Sequence, residues 1–575
     1  MPQTHAIYAH TGEDVLSSVF QQLDVDDDRL FNITMTFLHE MWDGLNNYGH
    51  DMAMIPTFVR SIPDGSEKGT FLALDLGGTN LRVCEVNLHG DKTFSLRQQK
   101  YKVSDALKTG EATTLFDYLA DSVDAFLTDS GSPNCALPPS LARRNLAEVS
   151  DEEDVPYIPL GLTFSFPVEQ TALDSGKLLT WTKGFAAKNA IGNDVVKLLQ
   201  DAFDRKNMHV RCVALVNDTV GALLSRAYTS GGCILGAIFG TGTNGAYVED
   251  MASISKLGRS TAVKEGNLMV VNTEWGGFNN SRSALPSTPY DNKVDRESIN
   301  PGKQAFEKFI SGMYLGEITR NVIVSLIDAA PKPLLFSGHS SKQLNKQWGV
   351  DTAVLSEVEE AWEGIGRFVP EDTGSTAEAT NAGEGTETSN GTNSTRQPSV
   401  QQKLERIRDV IVKRMELPPD SVSLDDADVV RKICTHIAWR AARLSSCAVA
   451  AVLFQTGRAR LTRGGEETKN TAPLVDEGKR IGVGVDGSLV EHYPCFEKKL
   501  RASLRVLVGE DVERRVDIGL AKDGSGVGAA LCALVAYRQN MVKQCHTVYE
   551  HEVANGVSES RGAEHFACPD SLART

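Results

Sequence analysis

Two short runs restrict the fold more than any other feature of this chain. "LALDLGGTNLRV" (72–83) and "LGAIFGTGTNGAYV" (235–248) each read as an apolar strand, a glycine turn and a second strand. "LGGTN" in the first is echoed by "GTGTN" in the second, about 165 positions later. A repeated unit at that distance predicts two α/β lobes of related architecture.

The rest of the chain is long enough for both. Its 575 residues suggest two to four domains. Residues 10–60 show helical spacing, and 111–128 read as a helix. The stretch 129–156 turns Ser/Pro-rich and acidic and is expected as a surface loop. "EDTGSTAEATNAGEGTETSNGTNSTRQP" (371–398) has no aromatic or large aliphatic side chain, so a disordered insert is expected there. Two more glycine clusters, "IGVGVDGS" and "LAKDGSGVGAAL", lie toward the C-terminus, the second ahead of a helix over 527–538, and a polar tail follows.

Charge and cysteine usage narrow the function classes. A net charge of −16 argues against nucleic acid or anionic membrane as the main partner, while leaving room for a local phosphate pocket. Ten Cys without a CxxC or regular spacing form neither a zinc framework nor a disulfide scaffold. No signal-peptide pattern opens the chain, and stretches such as "CAVAAVLF" are too short to span a bilayer. A cytoplasmic protein with free thiols is the expectation.

Glycine turns bring backbone N–H groups close to phosphate oxygens, and Thr79, Asn80, Thr241 and Asn244 add side-chain donors. Gly240–Gly245 satisfies the dinucleotide pattern GxGxxG, with Glu265 downstream, but a strand-like "AYVED" follows where that motif needs a helix. No GxxxxGK[ST] motif occurs. Nucleotide binding without a Rossmann motif or P-loop is the reading.

Two further stretches carry polar groups in apolar company. In "LGLTFSFPVEQTALDSGKLLTWTKGF" (160–185), Ser165, Thr182 and Lys183 stand among Phe164, Phe166, Trp181 and Phe185. That mixture suits a carbohydrate, although this stretch alone favours a buried hairpin with incidental polar groups. In "VALVNDTVGALL" (213–224), Asp218 is an acid inside an apolar run, where an unpaired charge would cost several kcal/mol. It is either a loop or helix-capping Asp, or a carboxylate placed for chemistry.

Taken in order, "LALDLGGTNLRV", the 160–185 segment, "VNDTVGALLS", "IFGTGTNGAYVE", "VVNTEWGGF", "INPGKQAFEKFISGMYLGEITR", "GVDGS" and "DGSGVGAAL" resemble the hexokinase family. The resemblance covers most of 55–540 and is closest to fungal glucokinases, with Leu162 where a Phe is usual. It implies the actin-like ATPase fold, two α/β lobes around a central cleft. It divides the chain into 1–69 (helical part of the large lobe), 70–217 (small lobe), 218–522 (large lobe, with the 371–398 insert), 523–545 (helix returning to the small lobe) and 546–575 (tail). Acidic loop and insert lie outside the family pattern.

The same resemblance implies an ATP-dependent hexose kinase making a 6-phosphate, with glucose first and mannose or fructose as alternatives. Catalysis falls to Asp218 as general base with Lys183 and Thr241. Sugar contacts fall to Ser165, Thr182, Lys183, Asn217, Asp218, Asn244, Glu274 and Glu307. ATP contacts fall to Asp75, Gly77, Gly78, Thr79, Asn80, Gly240, Thr241, Gly242, Gly487 and Ser488, with Asp75 holding Mg²⁺ through water. A weakly active sugar-sensing protein of the same fold is the alternative, and a sugar-acid or acetate kinase of the superfamily a remoter one. Monomer and dimer both remain open.

Overall fold

A computed structural model of the chain describes residues 12–77, 80–129, 157–181, 184–258, 267–368, 398–467 and 474–554. Outside the described residues lie nearly all of the expected 129–156 loop and 371–398 insert, and the end of the tail. So do four proposed site positions: Gly78, Thr79, Thr182 and Lys183.

Strands are labelled β1–β15 in chain order. The first glycine unit makes β2 (Lys68–Leu76) and β3 (Asn80–His89), paired antiparallel. With β4 (Phe94–Lys102), β5 (Ile158–Phe164) and β8 (Val210–Val216) they form a sheet of order β4-β3-β2-β5-β8. The second unit makes β9 (Leu235–Phe239) and β10 (Thr243–Asp250). These join β1 (Ile55–Pro56), β11 (Leu268–Asn272), β14 (Ile481–Asp486) and β15 (Val516–Leu520) in the order β1-β11-β10-β9-β14-β15. Two small hairpins, β6 (Val168–Ala172) with β7 (Ser175–Leu178) and β12 (Thr462–Arg463) with β13 (Glu466–Glu467), stand apart.

The two large sheets repeat one topology. In the first, β4, β3 and β2 are antiparallel and β2, β5 and β8 are parallel. In the second, β11, β10 and β9 are antiparallel and β9, β14 and β15 are parallel. The echo between "LGGTN" and "GTGTN" is thus the local trace of a repeated architecture.

Both faces of the parallel part of the first sheet are covered, which is why β2, β5 and β8 read as nearly continuous apolar runs, unlike the polar edge strand β4. Leu72, Leu74 and Leu76 pack with Leu115, Phe116, Leu199 and Phe203, from helices Ala112–Asp129 and Val195–Arg205. Phe71 and Ala73, at the alternate positions, pack with Val220 and Val527, from helices Asp218–Ser230 and Gly524–Ala554. In the second half, helix Leu424–Gln455 is long and apolar enough to cross a membrane, yet its apolar window is 89% buried inside the protein.

One glycine cluster behaves differently from its sequence reading. The C-terminal helix does not begin at 527 after a "DGSG" turn; it starts at Gly524 and runs past 545 to Ala554. Its glycines serve close packing. A Cβ on Gly528 would lie 2.1 Å from the Gly221 Cα, so the two helices touch backbone to backbone. The N-terminal helices, Gly12–Leu23 and Asp27–Asn46, end well before residue 60.

Candidate active site

Register decides which chemistry shares an edge. Thr163 in β5 pairs with Asp75 in β2 on one side and with Val216 in β8 on the other, all parallel. Just beyond these strands come Gly77, Ser165 and Asn217–Asp218, on neighbouring strand ends about 4.8 Å apart. In the other sheet β9 and β14 end together, Ile238 pairing with Asp486, before Gly240–Gly242 and Gly487–Ser488. Carboxyl ends of parallel strands are where open α/β sheets bind ligands.

These two edges face each other. Asp486, which closes β14, has its carboxyl raised above the usual range by burial first, with repulsion from Glu491 and Asp218 adding and Gly487 N–H and Arg82 opposing. Arg82 lies on β3 of the first sheet, and Asp218 directly follows that sheet's strand β8. Asp486 was not among the sequence candidates; it lies in the quoted "GVDGS", with only its glycine and serine singled out.

The strand–helix joint at 217–218 resolves the puzzle of an acid in an apolar run. Its flanks are core: Val213–Val216 lie in β8, and Val220, Leu223 and Leu224 on the buried face of helix 218–230. Asn217, not Asp218, is the cap, its Oδ1 accepting from Thr219 N–H at 3.0 Å and Thr219 Oγ1 at 2.7 Å. Asp218 follows in the first turn, half-buried, where helix N–H groups favour a carboxylate.

A second polar group forms at the start of β10. Asn244 Nδ2 donates to Asn272 Oδ1 at 2.8 Å and to Glu274 Oε1 at 3.2 Å, and Asn272 Nδ2 donates to that same oxygen at 2.8 Å. Glu274 sits at φ 56, turning the chain sharply after β11. Glu307 Oε2 accepts from Thr243 N–H at 3.1 Å, which brings a second carboxylate to the same strand end. Gln304 sits at φ 54 with its Oε1 against Gly276, two residues from Glu274. Asn272 and Gln304 were missed in the sequence; only their place beside Glu274 and Glu307 in quoted motifs could have flagged them.

The glycine turns meet as well. Gly487 has φ 112, and a Cβ there would stand 2.7 Å from Gly240 N, so only glycine fits against the first turn. From behind, Gly312 N–H donates to Gly240 O at 2.7 Å and Met313 N–H to Thr241 O at 3.2 Å. Thr241 and Ser488 are exposed at this surface. Across from them Asp75, 5% exposed, pairs with Arg82 of the adjacent strand at 2.9 Å (Nε) and 2.5 Å (Nη2).

The aromatic side chains of 160–185 serve packing. Phe164, Phe166 and Phe185 are buried; Trp181 stacks on Phe185 at 5.3 Å and donates to Ala187 O at 2.9 Å. Beside Arg282, Asp295 and Lys308 a cavity of about 10 Å³ has room for one water and is no ligand site.

Known proteins resemble this chain over most of its length. Two family models, both described as Hexokinase, match residues 15–228 and 234–535. A glucokinase of Aspergillus niger is 40% identical over 88% of this chain and 93% of its own. Glucokinase-1 of Saccharomyces cerevisiae is 36% identical over 91% and 97%. Among solved structures, a hexokinase from Schistosoma mansoni complexed with glucose superposes with a TM-score of 0.69, at 30% identity, over 92% of this chain and all of that one. With a repeated sheet topology, facing strand edges and relatives of this kind along nearly its whole length, the chain belongs to the hexokinase family and is a sugar phosphotransferase of the actin-like ATPase fold.

Proposed function

We propose that the protein transfers the γ-phosphoryl group of ATP to the 6-hydroxyl of glucose, and less readily of mannose or fructose. The observation that carries this is the placement of Asp218 at a strand end that faces the glycine turns of the other sheet. Relatives named as glucokinases and hexokinases favour turnover over a sensing role.

In this reading the sugar is held by Ser165, Thr182, Lys183 and Asn217 from the small lobe edge and by Asn244, Glu274 and Glu307 from the large one. Asn272 and Gln304 support the second group. Asp218 takes the proton from the sugar hydroxyl as its oxygen attacks the γ-phosphorus in line, and ADP leaves. Backbone N–H groups of 77–80 and 240–242, with Thr241 and Lys183, meet the charge on the phosphates. Gly487 and Ser488 adjoin the adenosine.

Among the described residues no three His, Cys, Asp or Glu side chains form a metal cage. A Mg²⁺ brought by the nucleotide would keep waters and take only one or two carboxylates. Asp75 would hold it through water, oriented by Arg82, and its charge would ease phosphate repulsion. We place the lobe boundaries at 70, 218 and 523. Free thiols throughout the described residues suit a cytoplasmic setting; cell fractionation tests that assignment.

A panel of hexoses with Mg-ATP, read by coupled ADP release, tests the function. Glucose should give the highest kcat/KM. Absence of hexose-dependent ADP release would overturn the proposal.

A further inference from the structure

Glu307 stands on a helix that cannot hold its own position. Ala305–Ile310 has six residues, and its N-cap Gln304 makes no side-chain capping bond. Isolated helices of that length are unstable in water, so its placement comes from tertiary contacts. The residue after Glu307 supplies the strongest of them. Lys308 is 4% exposed, and its Nζ donates to Asp295 Oδ1 at 2.8 Å and to Asn300 O at 2.7 Å.

Asp295, on helix Pro289–Glu297, ties together three segments. Besides Lys308 it accepts from Gly302 N–H at 3.1 Å and pairs with Arg282. Burial works against its charge, yet hydrogen bonds from Lys308, Arg282 and Gly302 hold its carboxyl below the usual carboxylate range. One carboxylate thereby fastens the 298–303 loop and the helix that carries Glu307. The nucleotide turn at 240–241 has further anchors of its own in Gly312 and Met313 of the next helix, while Glu307 reaches only its far end, at Thr243 N–H.

We propose that Asp295 and Lys308 are positioning residues for the sugar site: their buried pair sets where Glu307 stands, and acts on sugar affinity more than on nucleotide binding. This rests on Glu307 being a sugar ligand, as proposed above.

Lys308→Met is the decisive variant. It keeps side-chain length, and Asp295 retains Arg282, so no charge is left buried alone. Assayed well below its unfolding temperature, it should raise the glucose KM about tenfold with the ATP KM within about twofold. Asp295→Asn should act in the same direction, and the double variant should fall short of the summed effects because the two residues share one interaction. An unchanged glucose KM in Lys308→Met, or equal rises for both substrates, would overturn the proposal. A merely structural pair would lower the melting temperature without that split. Glucose affinity is also read without turnover, by tryptophan fluorescence titration. A wild-type protein that phosphorylates no hexose would therefore sink the kinase reading, while the variant's Kd would still decide the role of the pair.

Discussion

Replacing Asp218 by alanine should cut turnover far more than it loosens the fold. The side chain is half-buried, and its Oδ1 accepts from Thr219 N–H at 2.9 Å. Asn217 Oδ1 takes that same N–H at 3.0 Å, so alanine strands no donor. What the fold loses is the attraction of a carboxylate for a helix N-terminus, about 0.3–1 kcal/mol. Against that, the facing Asp486 is relieved of one repelling charge. The net change in stability should stay below about 1 kcal/mol. Removing a positioned general base should lower kcat by about 10²–10⁴, or about 3–5 kcal/mol of barrier. Sugar binding should persist, because the Asn244–Glu274–Glu307 group is built on other elements. Coupled ADP release gives kcat, a urea titration gives stability, and tryptophan fluorescence gives sugar affinity. A kcat within about fivefold of wild type would remove Asp218 from the base role. A loss of kcat accompanied by equal loss of folded protein would show that its contribution is structural.

Gly528→Val should destabilise by about 1–3 kcal/mol or more in urea unfolding, since its Cβ would lie 2.1 Å from the Gly221 Cα and neither backbone can yield. Arg440→Met should cost about 3–5 kcal/mol by the same measurement, because the fully buried Arg440 is bidentate to Asp291 at 2.7 and 2.9 Å and its loss leaves that acid buried. Glu249 tests a pH effect. Burial raises its carboxyl pKa, against hydrogen bonds from Tyr247, Gln455 and Asp250 N–H. A raised folded pKa gives stability that is full below the unfolded value and lost as pH rises through the folded one. Relative to Glu249→Gln, the wild type should therefore lose unfolding free energy as pH rises from about 4 to neutrality. A pH-independent difference would mean that Glu249 is ionised without strain.

Turn chemistry and strand patterning are local, and here they were readable in the sequence. Glycines between apolar runs marked both hairpins, and the echo of "LGGTN" in "GTGTN" announced the repeated topology. The resemblance of those motifs to one family then supplied roles for Asp218, Glu274 and Glu307. Local pattern misjudged "DGSGVG", while for 160–185 it favoured the buried hairpin without excluding a carbohydrate, and the ambiguity has the same source in both places. A glycine chosen for a turn and one chosen so that two helices can touch look alike in sequence, as do an aromatic that stacks on a ligand and one that packs on Phe166. Gly528 is decided by Gly221, and Trp181 by Phe185 and Ala187.

Tertiary structure alone decided the pairings on which the site depends. Asp75 meets Arg82, Thr163 stands between Asp75 and Val216, and Asp486 faces Asp218. A strand's own sequence carries its two-residue period but not the identity of its neighbours. Parallel neighbours such as β5 and β8 are joined only by long crossovers, so their register follows from burying both faces of the sheet at once. Lys308 shows the same limit at one residue: nothing beside Glu307 in the sequence marks it as buried, and its ammonium is held by Asp295, from another helix, and by Asn300 O.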